Sequence, residues 1–262
     1  MNPTDTVRYT GPDDATGVTA ARVPDQLAFL TDWLPSAPAR ILDAGCGRGH
    51  LALALDRAGY AVTAVDTDPE AVAVASALGV NAVEADIARY EDDPFDAVLF
   101  SLSLHHMADL GDAVERARTL LRPGGTLVVD EFAWERANPA TAAWFYDTAA
   151  VLAVAGRLGP GTDGDPLAAP YPRWVSRHRD ELRLHSGATV VAAVAGAFDI
   201  RTTTRVPYLY RYLADRLNDD GLGVPVFTAL KDIERLRIAD GGLAAVGLRL
   251  LARPRQTRED PT

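Results

Sequence analysis

The sequence predicts an α/β fold in which helices cover both faces of a mostly parallel sheet. Through the first half of the chain, short apolar segments alternate with helical segments of about 10 to 15 residues, a rhythm typical of βαβ units. The short segments are apolar throughout, as expected of strands buried on both faces. With 262 residues, of which 48% are hydrophobic, the chain can bury a sizeable core.

Five strands are predicted in the first half of the chain. They span residues 40–44, 61–65, 81–85, 95–100 and 126–130. Apolar residues at helical spacing predict helices beside these strands, at residues 23–34, 51–58, 69–78 and 110–121. Gly59 and Gly79 follow two of these helices, where a left-handed residue commonly ends a helix. Pro69 stands in a first helical turn, a position that proline favours.

The rhythm breaks after Glu131. A long helix is predicted at 140–155, followed by a loop rich in Gly and Pro at 159–172. Such a loop is typical of a lid or a binding loop. Ser186 is placed to cap a helix that reaches Ala195. A further helix is predicted at 226–238, and two more strands are predicted at 198–206 and 243–252.

The charge and cysteine content exclude several classes of function. The chain carries 26 Lys and Arg against 36 Asp and Glu, a net charge of −10, and has no basic run that would grip a nucleic acid backbone. No apolar run approaches the roughly 20 residues that cross a bilayer. Cys46 is the sole cysteine, which excludes an intrachain disulfide and a cysteine metal cluster. The polar beginning of the chain resembles no leader peptide, so we expect a soluble cytoplasmic protein.

A glycine-rich turn follows the first predicted strand. Gly45, Gly47 and Gly49 would let the backbone approach a ligand closely, because no Cβ intervenes. The helix after the turn points its N-terminal N–H groups at the same place. His50 stands where the dinucleotide fingerprint G-x-G-x-x-G has its third glycine, so that fingerprint is not met. Taken by itself, the cluster fits a ligand site and a plain tight turn equally well.

Three carboxylates close successive strands at the same predicted sheet edge. Asp66 ends the second strand, where a carboxylate can accept hydrogen bonds from ribose hydroxyls. Asp86 ends the third strand and could accept a hydrogen bond from an exocyclic amine, and Asp43 lies in the first strand. A lone carboxylate at such a place is often only a helix cap. Three in series make the edge acidic, which repels a pyrophosphate and suits a cationic nucleoside.

At this point the chain resembles the class I S-adenosylmethionine-dependent methyltransferases. The resemblance covers about residues 25–135 and rests on segments whose order and spacing match the family. They are ILDAGCGRG at 41–49, VD at 65–66, ADI at 85–87, FDAV at 95–98, LHH at 104–106 and LRPGGTL at 121–127. The strand at 243–252 resembles the family's closing antiparallel strand. The resemblance implies a Rossmann-like sheet of seven strands, mostly parallel with an antiparallel last strand, and S-adenosylmethionine as cofactor.

The resemblance also implies one domain over residues 1–262, with an N-terminal arm and inserted cap helices. Its parts would be an arm or lid (1–20), a cofactor-binding core (21–135), acceptor-binding cap segments (136–242), a closing strand (243–252) and a tail (253–262). Either Tyr9 or Arg22 could close over the carboxylate of the cofactor.

The cofactor's methionine end is assigned, by the same resemblance, to the first glycine turn. Gly45 and Gly47 would lie beneath it, with Cys46 between them as part of the turn rather than as a nucleophile. Asp43 would orient the ammonium group, and the carbonyl of Ser101 would contact that group.

The adenosine end is assigned to the second and third strand ends. Asp66 would hold the ribose hydroxyls and Thr67 would lie beside the adenine. Asp86 would accept from the adenine amine, and the backbone N–H of Ile87 would bind a ring nitrogen.

Candidate catalytic residues are His105, His106 and Glu131, each of which follows a strand at the expected ligand edge. Each has an alternative structural role, since the family often carries His here and Glu131 could cap a helix. A base is needed only if the acceptor atom must lose a proton. No Asn-Pro-Pro-Tyr element follows the fourth strand, which disfavours enzymes that methylate DNA amino groups. No metal site is expected.

The acceptor is expected to bind the later, variable segments. Seven aromatic residues there could line an apolar pocket or could simply pack the fold. They are Trp134, Trp144, Phe145, Tyr146, Trp174, Tyr208 and Tyr210. His178 and His185 lie in the same region and could contact substrate.

We therefore expect methyl transfer to the oxygen, nitrogen or carbon of a small molecule, such as a natural product or secondary metabolite. The same motifs also fit a relative that binds the cofactor but catalyses a non-methylating step such as cyclisation, or a silent binding protein. Monomer and homodimer both stay open.

Overall fold

The computed structural model describes residues 17–159 and 168–255. Seven strands form one sheet in the order β3-β2-β1-β4-β5-β7-β6. They are β1 (Arg40–Ala44), β2 (Ala61–Asp66), β3 (Ala82–Glu84), β4 (Phe95–Ser101), β5 (Leu121–Phe132), β6 (Phe198–Val206) and β7 (Gly247–Pro254). The first five strands are parallel, and β7 runs antiparallel to β5 and β6. The predicted fold class is confirmed, including the antiparallel last strand.

Helices cover the two faces of the sheet and build a cap beyond its carboxyl edge. The α-helices within the described ranges are α1 (Gly17–Trp33), α2 (His50–Arg57), α3 (Pro69–Ala77), α4 (Leu110–Leu120), α5 (Pro139–Val154), α6 (Pro170–Ser176), α7 (Gly187–Ala197), α8 (Leu209–Ala214) and α9 (Gly223–Ala239). Short 3₁₀ turns lie at Ile87–Arg89, Leu104–His106 and Trp134–Arg136, and a π-helical turn lies at Arg177–Glu181.

The apolar side chains of each central strand divide between two cores, as the strand period of two requires. Leu42 of β1 belongs to the core under α4 and α7, whereas the adjacent Ile41 belongs to the core under α1, α2 and α3. Both side chains are fully buried. A third cluster, rich in aromatic rings, joins the cap helices to the end of β5.

Strand order places the ligand edge beside β1. The chain moves outward from β1 through β2 to β3, then returns to place β4 on the other side of β1. Crevices at such switch points, outside the carboxyl ends of parallel strands, are where open α/β sheets bind ligands. The glycine turn after β1 stands at this point.

Several element boundaries differ from the sequence-based predictions. Helix α1 begins at Gly17, inside the predicted arm, because the Val18 N–H donates to Asp219 Oδ1 at 3.1 Å and fastens this end to the cap. Strand β5 takes in the predicted turn at 122–125, where its register against β4 shifts. Strand β7 begins at Gly247 rather than at 243, since the Ala244 N–H donates to Thr141 Oγ1 of α5 and not to the ladder.

The predicted lid segments are only partly described. Residues 1–16, which include Tyr9, lie outside the described residues, and so does the stretch 160–167 of the predicted loop. The end of that loop is helical, because α6 begins at Pro170. Helix α8 was not predicted. Within the two described ranges, no helix has both the length and the apolar character needed to cross a membrane.

Candidate active site

The glycine turn after β1 is built from left-handed backbone that favours glycine. Gly45, Gly47 and Gly49 have φ angles of 77°, 53° and 77°. A Cβ on Gly45 would lie 2.4 Å from the Ser103 Cβ, and one on Gly49 would lie 2.6 Å from the Ala75 Cβ. Gly47 has nothing within 4 Å of that position. Two of the glycines therefore allow close packing inside the protein, while Gly47 leaves an open backbone surface toward the cleft.

Asp66 ties the turn to the end of β2. Its Oδ2 accepts a hydrogen bond from the Gly47 N–H at 2.7 Å, and its Oδ1 accepts one from the Asp68 N–H at 3.0 Å. Asp86, at the end of β3, accepts from the Ala88 N–H at 3.0 Å and caps the short helix Ile87–Arg89. For Asp86 the capping role and a position at the ligand edge are thus combined in one side chain.

A cleft of about 490 Å³ opens at this edge of the sheet. Six of the predicted cofactor residues line it, namely Gly45, Gly47, Asp66, Thr67, Asp86 and Ile87. Asp43, Cys46 and Ser101 are absent from its lining, so the structure brings together the predicted adenosine residues more completely than the predicted methionine residues. The opposite wall comes from the segment after β4 and from α4.

Asp43 is buried behind the glycine turn. Its side chain is 1% exposed, and its Oδ1 has no hydrogen-bond partner among the described residues. Burial, with a further contribution from the nearby Asp66 carboxylate, raises the pKa of Asp43 to about 7. A buried acid with one unpaired oxygen, close to a second acid, would be stabilised in its charged form by a cation, which suits the ammonium group assigned to it.

Cys46 and Ser101 face the protein rather than the cleft. The Cys46 thiol donates to the Gly47 carbonyl at 3.4 Å, and burial raises the pKa of that thiol, so the thiolate needed for a nucleophile is disfavoured. The Ser101 Oγ accepts from Gln26 Nε2 at 3.2 Å, which fastens α1 to β4.

Residues immediately after Ser101 line the cleft and were not predicted. Leu102 has a φ of 59°, unusual for a residue with a side chain, and both Leu102 and Ser103 lie in the cleft wall with Met107. Ser103 Oγ donates to the Ala44 carbonyl at 2.8 Å and so joins this wall to β1. Their nearness to Ser101 is the only sequence signal that could have found them.

The three candidate catalytic residues differ in burial: Glu131 and His105 are buried, whereas His106 lines the cleft. Glu131 is 1% exposed, and its carboxylate accepts from the Leu104 N–H (2.7 Å), the Phe132 N–H (3.0 Å) and the His105 ring at Nδ1 (2.5 Å). Both oxygens of the carboxylate are thus bonded inside the protein, and Glu131 does not line the cleft. Its geometry therefore supports a positioning role instead of the predicted role as base or substrate anchor.

His106 is the candidate catalytic residue that lines the cleft. Its ring centroid lies 4.2 Å from that of the buried His105. His106 is exposed to solvent at the cleft, and partial desolvation together with the neighbouring His105 lowers its pKa to about 4. His106 is thus a neutral imidazole at pH 7, able to accept a proton.

The predicted aromatic residues fall largely into one buried cluster. Phe132 stacks on Tyr208 with centroids 4.4 Å apart, and Trp174 Nε1 donates to the Trp134 carbonyl at 2.9 Å. Trp174 is fully buried, and Tyr210 belongs to the same cluster, where it packs against Phe227 of α9. In the described conformation these rings pack the cap and do not line the cleft.

The remaining predicted contacts are structural in the described conformation. His185 donates from Nε2 to the Met107 carbonyl at 2.8 Å and holds the cleft wall from behind. His178 is buried in the aromatic cluster, where Nδ1 donates to the Trp174 carbonyl at 2.7 Å. Arg22 forms an ion pair with Asp215 after α8. The described residues contain no group of three or more His, Cys, Asp or Glu side chains suited to a metal ion.

Comparison with known proteins gives matches to methyltransferases. Residues 42–129 match the family model described as "Methyltransferase domain". A ubiquinone biosynthesis O-methyltransferase of Xylella fastidiosa is 37% identical over 116 residues, which cover 40% of this chain and 47% of that protein. The chain therefore spans about half the length of this curated relative.

Two further matches extend over more of the chain. An uncharacterized methyltransferase of Mycobacterium tuberculosis is 32% identical over 188 residues, covering 69% of this chain and 93% of that protein. The crystal structure of geranyl diphosphate C-methyltransferase from Streptomyces coelicolor superposes with a TM-score of 0.55 at 19% identity, over 88% of this chain and 79% of that one. The structural match supports the fold. The mycobacterial match, which spans nearly the whole relative, supports kinship, and the chain belongs to the family of class I S-adenosylmethionine-dependent methyltransferases.

Proposed function

We propose that this chain transfers the methyl group of S-adenosylmethionine to a small-molecule acceptor. The observation that carries the proposal is the cleft at the switch point, which is lined by the unobstructed backbone of Gly47 and by Asp66 and Asp86. This acidic lining suits a cationic nucleoside without phosphates. A net charge of −10 disfavours nucleic acid as the acceptor.

The cofactor's adenosine part would lie along the ends of β2 and β3. Asp66 already accepts two backbone hydrogen bonds, and a carboxylate has about four acceptor sites, so it can also accept from ribose hydroxyls. Asp86 uses one oxygen for its helix cap, which leaves the other for the adenine amine. Thr67 and the Ile87 N–H complete this end.

The methionine part would lie over the glycine turn. Gly47 would allow it to approach the backbone, Gly45 lies beside it in the cleft lining, and the charged form of Asp43 would attract its ammonium group. Ser101 is oriented by Gln26 on α1 and would offer its carbonyl from the end of β4.

S-adenosylmethionine, when bound, supplies a methyl group activated on a sulfonium. The chain's part is to position the acceptor in line with that group and to exclude water from the reacting atoms. For an acceptor hydroxyl or amine, His106 would accept the proton that is lost on methylation, since it lines the cleft as a neutral imidazole.

His105 and Glu131 would act on the reaction only through His106. Because a carboxylate can only accept, the His105 ring carries its proton on Nδ1, and the ring is fixed against Glu131. This buried pair fixes the 3₁₀ turn Leu104–His106 that carries His106. Both are therefore proposed as positioning residues.

Oxygen is the acceptor atom best supported, because the Xylella relative is named as an O-methyltransferase. We further propose that the acceptor is a secondary metabolite and that the reaction takes place in the cytoplasm.

The experiment that tests the proposed function is incubation of the protein with S-adenosylmethionine and a panel of small hydroxylated compounds. Mass spectrometry would detect S-adenosylhomocysteine together with a product 14 Da heavier, about the mass of the CH₂ gained on methylation.

The two rival functions give different results in the same experiment. A converted acceptor without S-adenosylhomocysteine would indicate a non-methylating step such as cyclisation. Tight cofactor binding without any product would indicate a binding protein. Either result would overturn methyl transfer as the function.

A further inference from the structure

Arg211 of α8 is a buried cation with half of its guanidinium unpaired. Its side chain is 3% exposed, and Nη1 donates to Asp130 Oδ2 at 2.8 Å. Nε and Nη2 are also buried, yet neither has a hydrogen-bond partner among the described residues. Buried donors are rarely left unpaired, because desolvation is costly when no bond replaces water.

The nearby carboxylates are already engaged. Asp130 gives its second oxygen, Oδ1, to Arg249 Nε at 3.1 Å. Glu234 gives both oxygens to the backbone N–H groups at the start of α8, at 2.8 to 3.0 Å. Glu131 is engaged with His105 and the loop after β4. None of these carboxylates satisfies the two remaining donors of Arg211, and Asp130 is shared between two guanidinium groups.

The unpaired atoms form one edge of the guanidinium. Nε and Nη2 point their N–H bonds in the same direction, and this edge binds a carboxylate through two parallel hydrogen bonds. The Arg211 pair with Asp130 uses the other side, Nη1, and leaves this edge intact. A carboxylate is therefore the ligand whose shape and charge fit the edge best.

Arg211 is linked to the cleft wall through Asp130, which bonds to both Arg211 and the cleft-lining Leu102. The Leu102 N–H donates to the carbonyl of Asp130 at 2.8 Å, and Leu102 both lines the cleft and packs against the aromatic cluster. The Tyr208 ring lies 5.5 Å from Arg211 Cζ and stacks on Phe132. The guanidinium therefore lies near the stacked rings of Tyr208 and Phe132, and Asp130 connects it to the cleft wall at Leu102.

The same cluster contains two other buried polar atoms without partners among the described residues, Trp134 Nε1 and His178 Nε2. His178 donates from Nδ1 to Trp174, so its Nε2 is an acceptor, whereas Trp134 Nε1 is a donor. A polar substituent on a flat molecule could satisfy either of them.

We propose that Arg211 binds the carboxylate of the methyl acceptor, which is an aromatic or conjugated hydroxy acid. The proposal rests on the function proposed above. The ring system of the acceptor lies beside Phe132 and Tyr208, and its hydroxyl points past Leu102 to the cleft. Because the edge is closed over in the described conformation, binding displaces Tyr208 from its stack on Phe132.

The first test compares acids with matched neutral amides on the unmodified protein saturated with S-adenosylhomocysteine. The probes are 4-hydroxybenzoate with 4-hydroxybenzamide and 4-hydroxycinnamate with its amide, titrated by calorimetry. Two charge-assisted hydrogen bonds predict that each acid binds at least about tenfold more tightly than its amide. Equal affinities, or no binding of either acid up to about 10 mM, would overturn the proposal.

The second test uses Arg211→Lys, which keeps the charge beside Asp130 and removes the two-donor edge. The control is Arg249→Lys, which changes the other partner of Asp130. We expect Arg211→Lys alone to abolish the preference for acids, with the affinity for S-adenosylhomocysteine unchanged. If it instead weakens S-adenosylhomocysteine and keeps the acid preference, the edge serves the cofactor's own carboxylate and the proposal is wrong.

The two proposals fail in different ways. Failure of the unmodified chain to bind S-adenosylhomocysteine would contradict the proposed function. Normal S-adenosylhomocysteine binding without an acid preference would contradict only the role of Arg211. If Arg211→Lys does not fold, as judged by circular dichroism, the comparison of acids with amides on the unmodified protein decides the matter.

Discussion

Glu131 at the end of β5 and His105 after β4 are joined by a buried contact of 2.5 Å between Oε2 and Nδ1. The other oxygen of Glu131 accepts from the Leu104 N–H, so one carboxylate fixes the whole 3₁₀ turn that presents His106 to the cleft. Of the three residues predicted to be catalytic, His106 lines the cleft, whereas His105 and Glu131 are buried and contact each other.

Glu131→Gln should reduce turnover without removing the cofactor site. The amide group of Gln would face the Leu104 N–H, the Phe132 N–H and the His105 ring, which all donate hydrogen bonds to Glu131. The free energy of unfolding, measured by thermal denaturation, should therefore fall by about 1–3 kcal/mol. Glu131 also raises the pKa of His106, so its loss should move the acidic limb of the kcat profile to lower pH. An unchanged limb would mean that Glu131 serves stability alone.

His106→Gln should lower kcat by about 10²–10⁴-fold if the acceptor loses a proton to this residue. A base must be neutral to act, and the pKa of His106 is lowered to about 4, so activity should persist as the pH falls through 6 and be lost near 4. Rate measurements on both proteins across this range test the assignment. His185→Gln is the control, since His185 supports the same wall from outside the cleft. Full activity of His106→Gln would refute it.

Asp66→Asn should weaken binding of S-adenosylhomocysteine by about 1.5–3 kcal/mol, the usual loss for a hydrogen bond to a charged group. The matched variant is Asp68→Asn, two residues further on. Asp68 caps α3 through the Glu70 N–H and does not line the cleft, and Asn is an equally good cap. Calorimetry should therefore show a loss only for Asp66→Asn. Similar affinities for the two variants would contradict the ribose assignment.

Binding of the cofactor should release a proton from Asp43. With a pKa raised to about 7, this acid is mostly protonated at pH 6, whereas an ammonium group requires the carboxylate. Affinity should consequently rise as the pH increases from 5 to 7 and level off above. Calorimetry at about pH 6 in two buffers of different ionisation enthalpy measures the release, and Asp43→Asn should abolish it. Zero proton release from the unmodified protein would place the ammonium elsewhere.

Gly45→Ala and Gly47→Ala should differ, although both positions have positive φ. The added methyl at Gly45 meets the Ser103 Cβ at 2.4 Å, so this variant should lose stability by several kcal/mol and cofactor binding with it. At Gly47 the methyl has space in the protein but projects into the cleft region, and the main loss should be in affinity. Thermal denaturation and calorimetry on both variants separate the two effects.

The sequence was sufficient where local pattern and strand order decide the structure. Short apolar segments such as residues 40–44 were predicted correctly as buried strands. The helices between them make the strands parallel, so their carboxyl ends share one edge of the sheet. Asp66 and Asp86 were therefore expected at that edge, and both line the cleft there. The glycine turn was recognisable because its residues also set its backbone angles.

The sequence was insufficient where a contact joins distant residues. Helix α8 has only six residues, and its first N–H groups are satisfied by Glu234, 24 to 26 positions away. Ser101 was expected at the cleft, whereas the residues that line the cleft after β4 are Leu102, which has left-handed backbone, and Ser103. Glu131 was predicted as a base because the sequence does not show its contacts with Leu104 and His105. Those contacts depend on how β5 is aligned with β4.

The most direct measurement is a calorimetric titration of the unmodified chain with S-adenosylhomocysteine, set beside one with NAD⁺. An acidic cleft that fits a nucleoside without phosphates predicts saturable binding of S-adenosylhomocysteine at one site per chain and no binding of the pyrophosphate compound. Absence of saturable S-adenosylhomocysteine binding, or equal binding of NAD⁺, would contradict the account.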